Sequence, residues 1–145
     1  MKINIKKLND KATLPTYGSE FAAGCDLYAC LDNDLTIKPN ETVLIKTGLS
    51  VELPVGYGAF IYARSGLASK RGLAPANKVG VIDCDYRGEI MVALHNHSTS
   101  EQTILSNERI AQMVIAPYIQ AEFNVVDELS STERGQGGFG STGRN

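Results

Sequence analysis

The chain has 145 residues, of which 43% are hydrophobic, and a formal net charge of −2. That length suits one domain with a core of ordinary size, and the charge argues against general nucleic-acid binding, which needs a broad basic face. No apolar run approaches the ~20 residues of a membrane span, so no membrane partner is expected.

The first ten residues, MKINIKKLND, alternate like a strand and lack the continuous apolar stretch of a signal peptide, so a soluble cytoplasmic protein is the expectation. Short alternating runs then recur. Ile3/Ile5, Leu35/Ile37, Val43/Ile45, Leu49/Val51/Leu53 and Ile90/Val92/Leu94 each have the period of a half-buried strand. Asn33-Asp34, Pro39-Asn40, Pro54–Gly56 and Ser98–Ser100 punctuate them. Many short strands with turns this frequent predict an all-β sandwich or barrel. One helix is predicted over Gly66–Arg71, ending at Gly72, a natural C-cap residue. From Glu128 onward the composition changes to ELSSTERGQGGFGSTGRN, poor in apolar groups and rich in glycine. The predicted division is therefore a β domain over 1–127 and a mobile C-terminal arm over 128–145, unless something holds the arm.

The stretch NKVGVIDCDYRGEIMVAL, Asn77 to Leu94, carries the densest signal. Two period-two runs flank Cys84–Gly88, which predicts a β-hairpin. Its turn holds Asp83, Asp85, Tyr86, Arg87 and a glycine. A turn alone needs only small polar residues and glycine, so Asp83 and Tyr86 ask for a further reason. An Asx turn with Asp85 paired to Arg87 and Tyr86 over the sheet is the simpler alternative.

Other segments carry chemical groups. In AGCDLYA, Asp26 and Tyr28 share a strand face opposite Cys25 and Leu27; a surface acid is the plain reading. In ARSGLAS, Arg64 and Ser65 sit just before the helix, where free N–H groups and a partial positive charge attract anions. Ser65 reads equally well as an N-cap, and Gly66 would let backbone N–H groups approach a phosphate. In ERIAQMVIAP, alternation makes a strand, with Gln112 a polar residue beside the core that must find a partner. Cys25, Cys30 and Cys84 are odd in number and lack Cys-x-x-Cys spacing, so reduced, buried thiols are expected rather than a zinc site. His95 and His97 share a face without a third ligand and read as surface. After Lys78 every positive side chain is arginine: Arg87, Arg109, Arg134 and Arg144. Arginine suits bidentate phosphate contacts. The tail RGQGGFGSTG has glycines at Walker A spacing, but Ser141 stands where the lysine belongs and no strand–loop–helix context is available.

Five segments, AGCDLYA, ARSGLAS, the Asn77–Leu94 stretch, ERIAQMVIAP and RGQGGFGSTG, resemble the motifs of the trimeric dUTPases in the same order. The resemblance runs over almost the whole chain, departing at Ala63 (more often proline) and Asn107 (often glycine). It implies a jelly roll and the reaction dUTP + water → dUMP + diphosphate, which removes dUTP and supplies dUMP for dTMP synthesis. It implies Asp83 as the base that activates water, and Asp26 as the group orienting a water on Mg²⁺, with the ion carried by the triphosphate. Arg64, Ser65, Gly66 and Gln112 would lie near the phosphates. Asn77 would read the uracil edge, with the backbone at Gly80, Val81 and Ile82 and the Met91 side chain flooring the base pocket. Tyr86 would pack on the sugar and exclude a ribose 2′-OH. The arm would close as a lid, with Arg134 on the γ-phosphate, Phe139 over the base, and Gly140, Ser141 and Thr142 on the phosphates. About fifteen extended residues span at most roughly 50 Å, and the resemblance implies a homotrimer whose sites combine segments of different subunits. A dCTP deaminase of the same fold is the nearest rival, but its catalytic glutamate falls where this chain has Ala93. A non-catalytic nucleotide sensor or a capsid-like β module would have no need of Asp26, Asp83 and the full tail.

Overall fold

The computed structural model describes residues 1–138. Twelve strands and one helix follow in order. They are β1 (Asn4–Lys7), β2 (Thr16–Tyr17), β3 (Cys25–Tyr28), β4 (Leu35–Ile37), β5 (Thr42–Lys46), β6 (Leu49–Glu52) and β7 (Tyr57–Tyr62), then α1 (Ser65–Arg71). After it come β8 (Leu73–Pro75), β9 (Gly80–Ile82), β10 (Met91–Asn96), β11 (Gln102–Ile104) and β12 (Arg109–Pro117). All pairings are antiparallel, and the largest sheet has the order β2-β3-β12-β7-β9. A second sheet, β5-β10-β8, and two strand pairs, β1-β6 and β11-β4, complete the wall. The result is the jelly roll that the resemblance implied.

Inward side chains from these sheets meet in one core. Leu27, Ile37, Ile45, Leu49, Leu73, Ile90, Leu94, Ile104 and Ile110 are fully buried, and each such side chain stabilises the fold by about 1.5–3 kcal/mol. The alternation of β3 is that expected: Cys25 and Leu27 inward, Asp26 and Tyr28 half-buried on the other face. Asn96, between the two histidines, is wholly buried and fully bonded, donating to Ile37 O and Ser100 O and accepting from Ser98. His97 is left exposed and His95 half-buried, as a surface reading requires. Of the three unpaired cysteines, Cys25 alone is buried; Cys30 and Cys84 are half-buried. Among the described residues no helix is long and apolar enough to cross a membrane.

The helix ends as predicted. Gly72 adopts φ 66°, and its N–H reaches Ala68 O and Leu67 O, a left-handed cap that a Cβ would strain. Its start differs. Arg64 is the N-cap, no side chain caps it, and Ser65 is already the first helical residue, whose C=O accepts the Ser69 hydroxyl at 2.6 Å. The N-cap alternative for Ser65 is therefore wrong, and its hydroxyl stands exposed at the helix start. Asn107 takes φ 62°, the conformation in which asparagine can replace glycine.

The predicted hairpin is also corrected. β9 pairs with β7 in the five-stranded sheet, whereas β10 pairs with β5 and β8 in the other. The two arms are separate strands of separate sheets. Period two specifies a face and leaves the partner open, and burial of Ile90, Val92 and Leu94 is better served against β5 and β8. The stretch Cys84–Gly88 crosses between the sheets, and that crossing opens a cleft.

Candidate active site

The cleft is a cavity of about 260 Å³ lined by Asn77, Gly80, Val81, Ile82, Asp83, Tyr86 and Met91, with Leu44, Ile61 and Glu89. Seven residues singled out from the sequence thus share one pocket. Val81 and Asp83 face out while Gly80 and Ile82 face in, because Ile61↔Gly80 and Ala59↔Ile82 set the register on β7. Tyr86 is held at the hydroxyl end of its ring. Its hydroxyl donates to Glu89 O at 3.0 Å, and the phenol lies across the α-carbon of Gly88, where any Cβ would overlap it. A side chain at 88 would therefore have to displace the Tyr86 ring. Asp83 is exposed and borders both this pocket and a larger cavity of about 610 Å³ beside it. Its C=O accepts the Tyr86 N–H at 3.2 Å, closing the turn. Arg87 turns away from Asp85: it donates to Cys84 O at 2.7 Å and lies 3.6 Å from Glu52.

A second cluster lies across the same sheet. Register places Asp26 of β3 beside Gln112 of β12, and Gln112 beside Tyr62 of β7. The Gln112 amide donates to Ala63 O at 2.8 Å, so it fixes the chain just where β7 gives way to Arg64 and α1. A Cβ on Gly24 would come within 2.8 Å of Gln112 Oε1, which is why the small residue precedes Asp26 by two positions. Arg64 Nε donates to Asp26 Oδ1 at 2.7 Å, and Arg109 Nη1 to Oδ2 at 3.2 Å. Two guanidinium groups on one carboxylate leave an excess positive charge, and the Asp26 side chain is only 14% exposed. Low exposure weakens solvent screening, so the cluster attracts anions. Next to it, Ser65 and Gly66 are exposed, with open space above Gly66. Arg109 was not singled out from the sequence as a site residue, and nothing in its local pattern signals the Asp26 contact.

The two clusters do not meet within one chain. Asp26 and Asp83 are separated by three strand spacings laterally and about four residues along the sheet, roughly 20 Å in all. Arg134 lies beyond β12, in a segment where every residue from 117 to 136 is exposed, and its Nε donates to Gly137 O at 2.7 Å within its own turn. This exposed run begins well ahead of the composition change at Glu128. Phe139, Gly140, Ser141 and Thr142 lie outside the described residues.

The donor set suits Mg²⁺ in one way only. Among the described residues no three His, Cys, Asp or Glu side chains converge on one point. Asp26 already accepts from two arginines, yet its oxygens keep further lone pairs for an ion-bound water. The residues fit an ion that arrives with its ligand and keeps its waters.

Fold and site together define an antiparallel jelly-roll domain with a base-sized pocket at one sheet edge and an arginine pair on the Asp26 carboxylate of β3, three strands away. A family model described as dUTPase matches residues 10–143. The deoxyuridine 5′-triphosphate nucleotidohydrolase of Nautilia profundicola is 55% identical over 144 residues, covering 99% of this chain and all of that one. The protein of the same name from Desulfitobacterium hafniense is 57% identical over 136 residues, covering 92% and 90%. A solved variant of the Staphylococcus bacteriophage 80alpha dUTPase with dUpNHpp superposes with a TM-score of 0.90 at 28% identity, covering 98% of each chain. The chain belongs to the dUTPase family.

Proposed function

We propose that this chain hydrolyses dUTP through water activated by Asp83, with phosphate-binding groups supplied by the Asp26–Arg64 cluster of a neighbouring subunit. The reaction follows from family membership: dUTP and water give dUMP and diphosphate. The observation that carries the site assignment is the pocket in which Asn77, Gly80, Val81, Ile82, Tyr86 and Met91 surround Asp83.

In this reading uracil enters the pocket against the β9 backbone and Asn77. Tyr86, immobilised by Glu89 and Gly88, presents a flat ring to the deoxyribose and leaves no room for a 2′-hydroxyl. Asp83, on the rim, accepts the proton of the water whose oxygen bonds to the α-phosphorus. The bond from the α-phosphorus to the bridging oxygen breaks, and diphosphate leaves with the bonding pair. A carboxylate is a weak base, so most of the barrier lowering comes from positioning and from charge stabilisation of the leaving group. Arg64, Arg134, the Gln112 amide, the Ser65 hydroxyl and the N–H of Gly66 supply that stabilisation, joined by Ser141, Thr142 and Gly140, with Phe139 covering the base. Asp26 would hold Mg²⁺ through a water, and the bound ion would supply neutralisation of phosphate charge.

Homotrimeric assembly is part of the proposal. The roughly 20 Å between Asp26 and Asp83 supports it, because one triphosphate cannot bridge both within a single chain. The exposed run after β12, with Ile119, Phe123 and Val125 each more than nine-tenths exposed, supports a segment that crosses to a neighbour. Three unpaired cysteines suit a cytoplasmic, reducing compartment.

The test is a coupled assay for diphosphate released from dUTP, with dCTP, dTTP and UTP as controls, combined with sedimentation to count subunits. Equal rates on UTP would overturn the Tyr86 assignment. A fully active monomer would overturn the shared site.

A further inference from the structure

Cys84 lies between the two carboxylates of the crossing turn and packs half-buried against the core. Its Sγ stands 3.4 Å from Oη of Tyr118. Tyr118 is the first residue beyond β12, and its own N–H donates to Gly56 O at 3.0 Å. β12 and β9 flank β7, so Tyr118 and Cys84 extend from strands that are not hydrogen-bonded to one another. Both line the cavity that Asp83 and Asp85 border. The Cys84 contact is the largest of the influences that raise the Tyr118 phenol above its ordinary pKa, and a hydrogen bond joins the phenol oxygen to the sulfur.

The rest of the turn has its own anchors. Ser50 Oγ donates to Arg87 O at 2.8 Å, and the Gly48 N–H donates to Glu89 Oε1 at 2.8 Å. Those bonds fix residues 87–89. The Asp83 end leaves β9 at Ile82 and has no ladder beyond it.

We infer that Tyr118 is a positioning residue for the reaction: through Cys84 it holds the turn that presents Asp83 to the attacking water, and it links that turn to the root of the C-terminal arm. The inference rests on Asp83 being the base. A hydrogen bond of this type is individually weak, but its effect on rate comes through alignment of the carboxylate, to which proton transfer is sensitive.

The experiment measures steady-state hydrolysis of dUTP by the full chain and four variants: Tyr118→Phe, Cys84→Ala, Cys84→Ser and the double variant Tyr118→Phe/Cys84→Ala. Tyr118→Phe and Cys84→Ala should each lower kcat about tenfold with KM within twofold, because the pocket around Asn77 and Met91 is untouched. The double variant should be no slower than either single one, and Cys84→Ser, which keeps an acceptor, should recover most of the rate. A kcat for Tyr118→Phe within twofold of the parent, additive losses, or no rescue by serine would each overturn the inference. Should Cys84→Ala fail to fold, Tyr118→Phe removes one hydroxyl from a 40%-exposed side chain and decides the matter alone. Asp83→Asn is measured in parallel. If it retains turnover, the base assignment is what fails; if it is inactive while Tyr118→Phe is normal, only the coupling fails.

Discussion

Arg64 Nε donates to Asp26 Oδ1 at 2.7 Å, although the two residues are 38 positions apart, and the pair sits beside the first turn of α1. Arg109 shares the same carboxylate. If Arg64 serves phosphate, as proposed, Asp26 holds its guanidinium in the free chain, and Arg109 remains on the same carboxylate. Replacing Arg64 by glutamine should lower kcat/KM for dUTP by about 10²–10³, the range for losing one preorganised charge donor. Lysine should recover little of it, since a point charge lacks the planar fork. Steady-state kinetics with both variants checks this.

Asp83 is exposed at the rim of its pocket and contributes nothing to the core. Asp83→Asn should therefore fold normally and bind a non-hydrolysable dUTP analogue within about threefold of the parent. Its kcat should fall by about 10²–10⁴, the span attributed to general-base catalysis. Calorimetric titration with the analogue, beside single-turnover rates, separates the two quantities. Turnover near the parent level would remove Asp83 from the mechanism.

Tyr86 and Gly88 form one steric unit, since the phenol occupies the space a Cβ at 88 would need. Tyr86→Ala should narrow the preference for dUTP over UTP. Gly88→Ala should do the same by displacing the ring, and should also cost about 1–3 kcal/mol of stability, as overpacking does. Urea unfolding and paired dUTP and UTP kinetics report the two effects. If Gly88→Ala leaves sugar discrimination intact, the ring is not the discriminating surface.

Removing Mg²⁺ with a chelator should abolish turnover and leave the melting temperature of the ligand-free chain unchanged, because no convergent set of three metal-binding side chains occurs among the described residues. A resident structural ion would instead lower the melting temperature when stripped. Thermal scans with and without chelator distinguish these outcomes.

Truncation after Asp127 should preserve the fold, since residues 117–136 are exposed and contribute no buried side chain. Turnover should fall by about two orders of magnitude or more if Arg134 and the glycine-rich strip close the site. Circular dichroism and steady-state rates on the truncated chain test both halves of the statement.

Much was readable from the chain alone. The strands with clean alternation, β1, β4, β5, β6, β10 and β12, and the helix with its glycine stop at 72, follow from side-chain period and turn chemistry. Both act over a few residues. That the residues of Asn77–Met91 share one pocket follows from their falling within one short stretch, whereas the roles proposed for them come from the family resemblance. β7, the centre of the large sheet's β12-β7-β9 half, was not. Its sequence YGAFIY is apolar throughout, and a run without alternation has no period to detect.

What the tertiary structure alone decided was partnership. Alternation told β9 and β10 which faces to bury, yet only the competing edges of β7, β5 and β8 determined that the two strands would part into different sheets. Likewise, an arginine at 109 carries no local mark of the carboxylate 83 positions away that it neutralises. Strand pairing and charge pairing are energies between distant segments, set by which surfaces are left to satisfy after the core has formed. A linear pattern records the propensities of each segment and leaves open where its neighbour will come from.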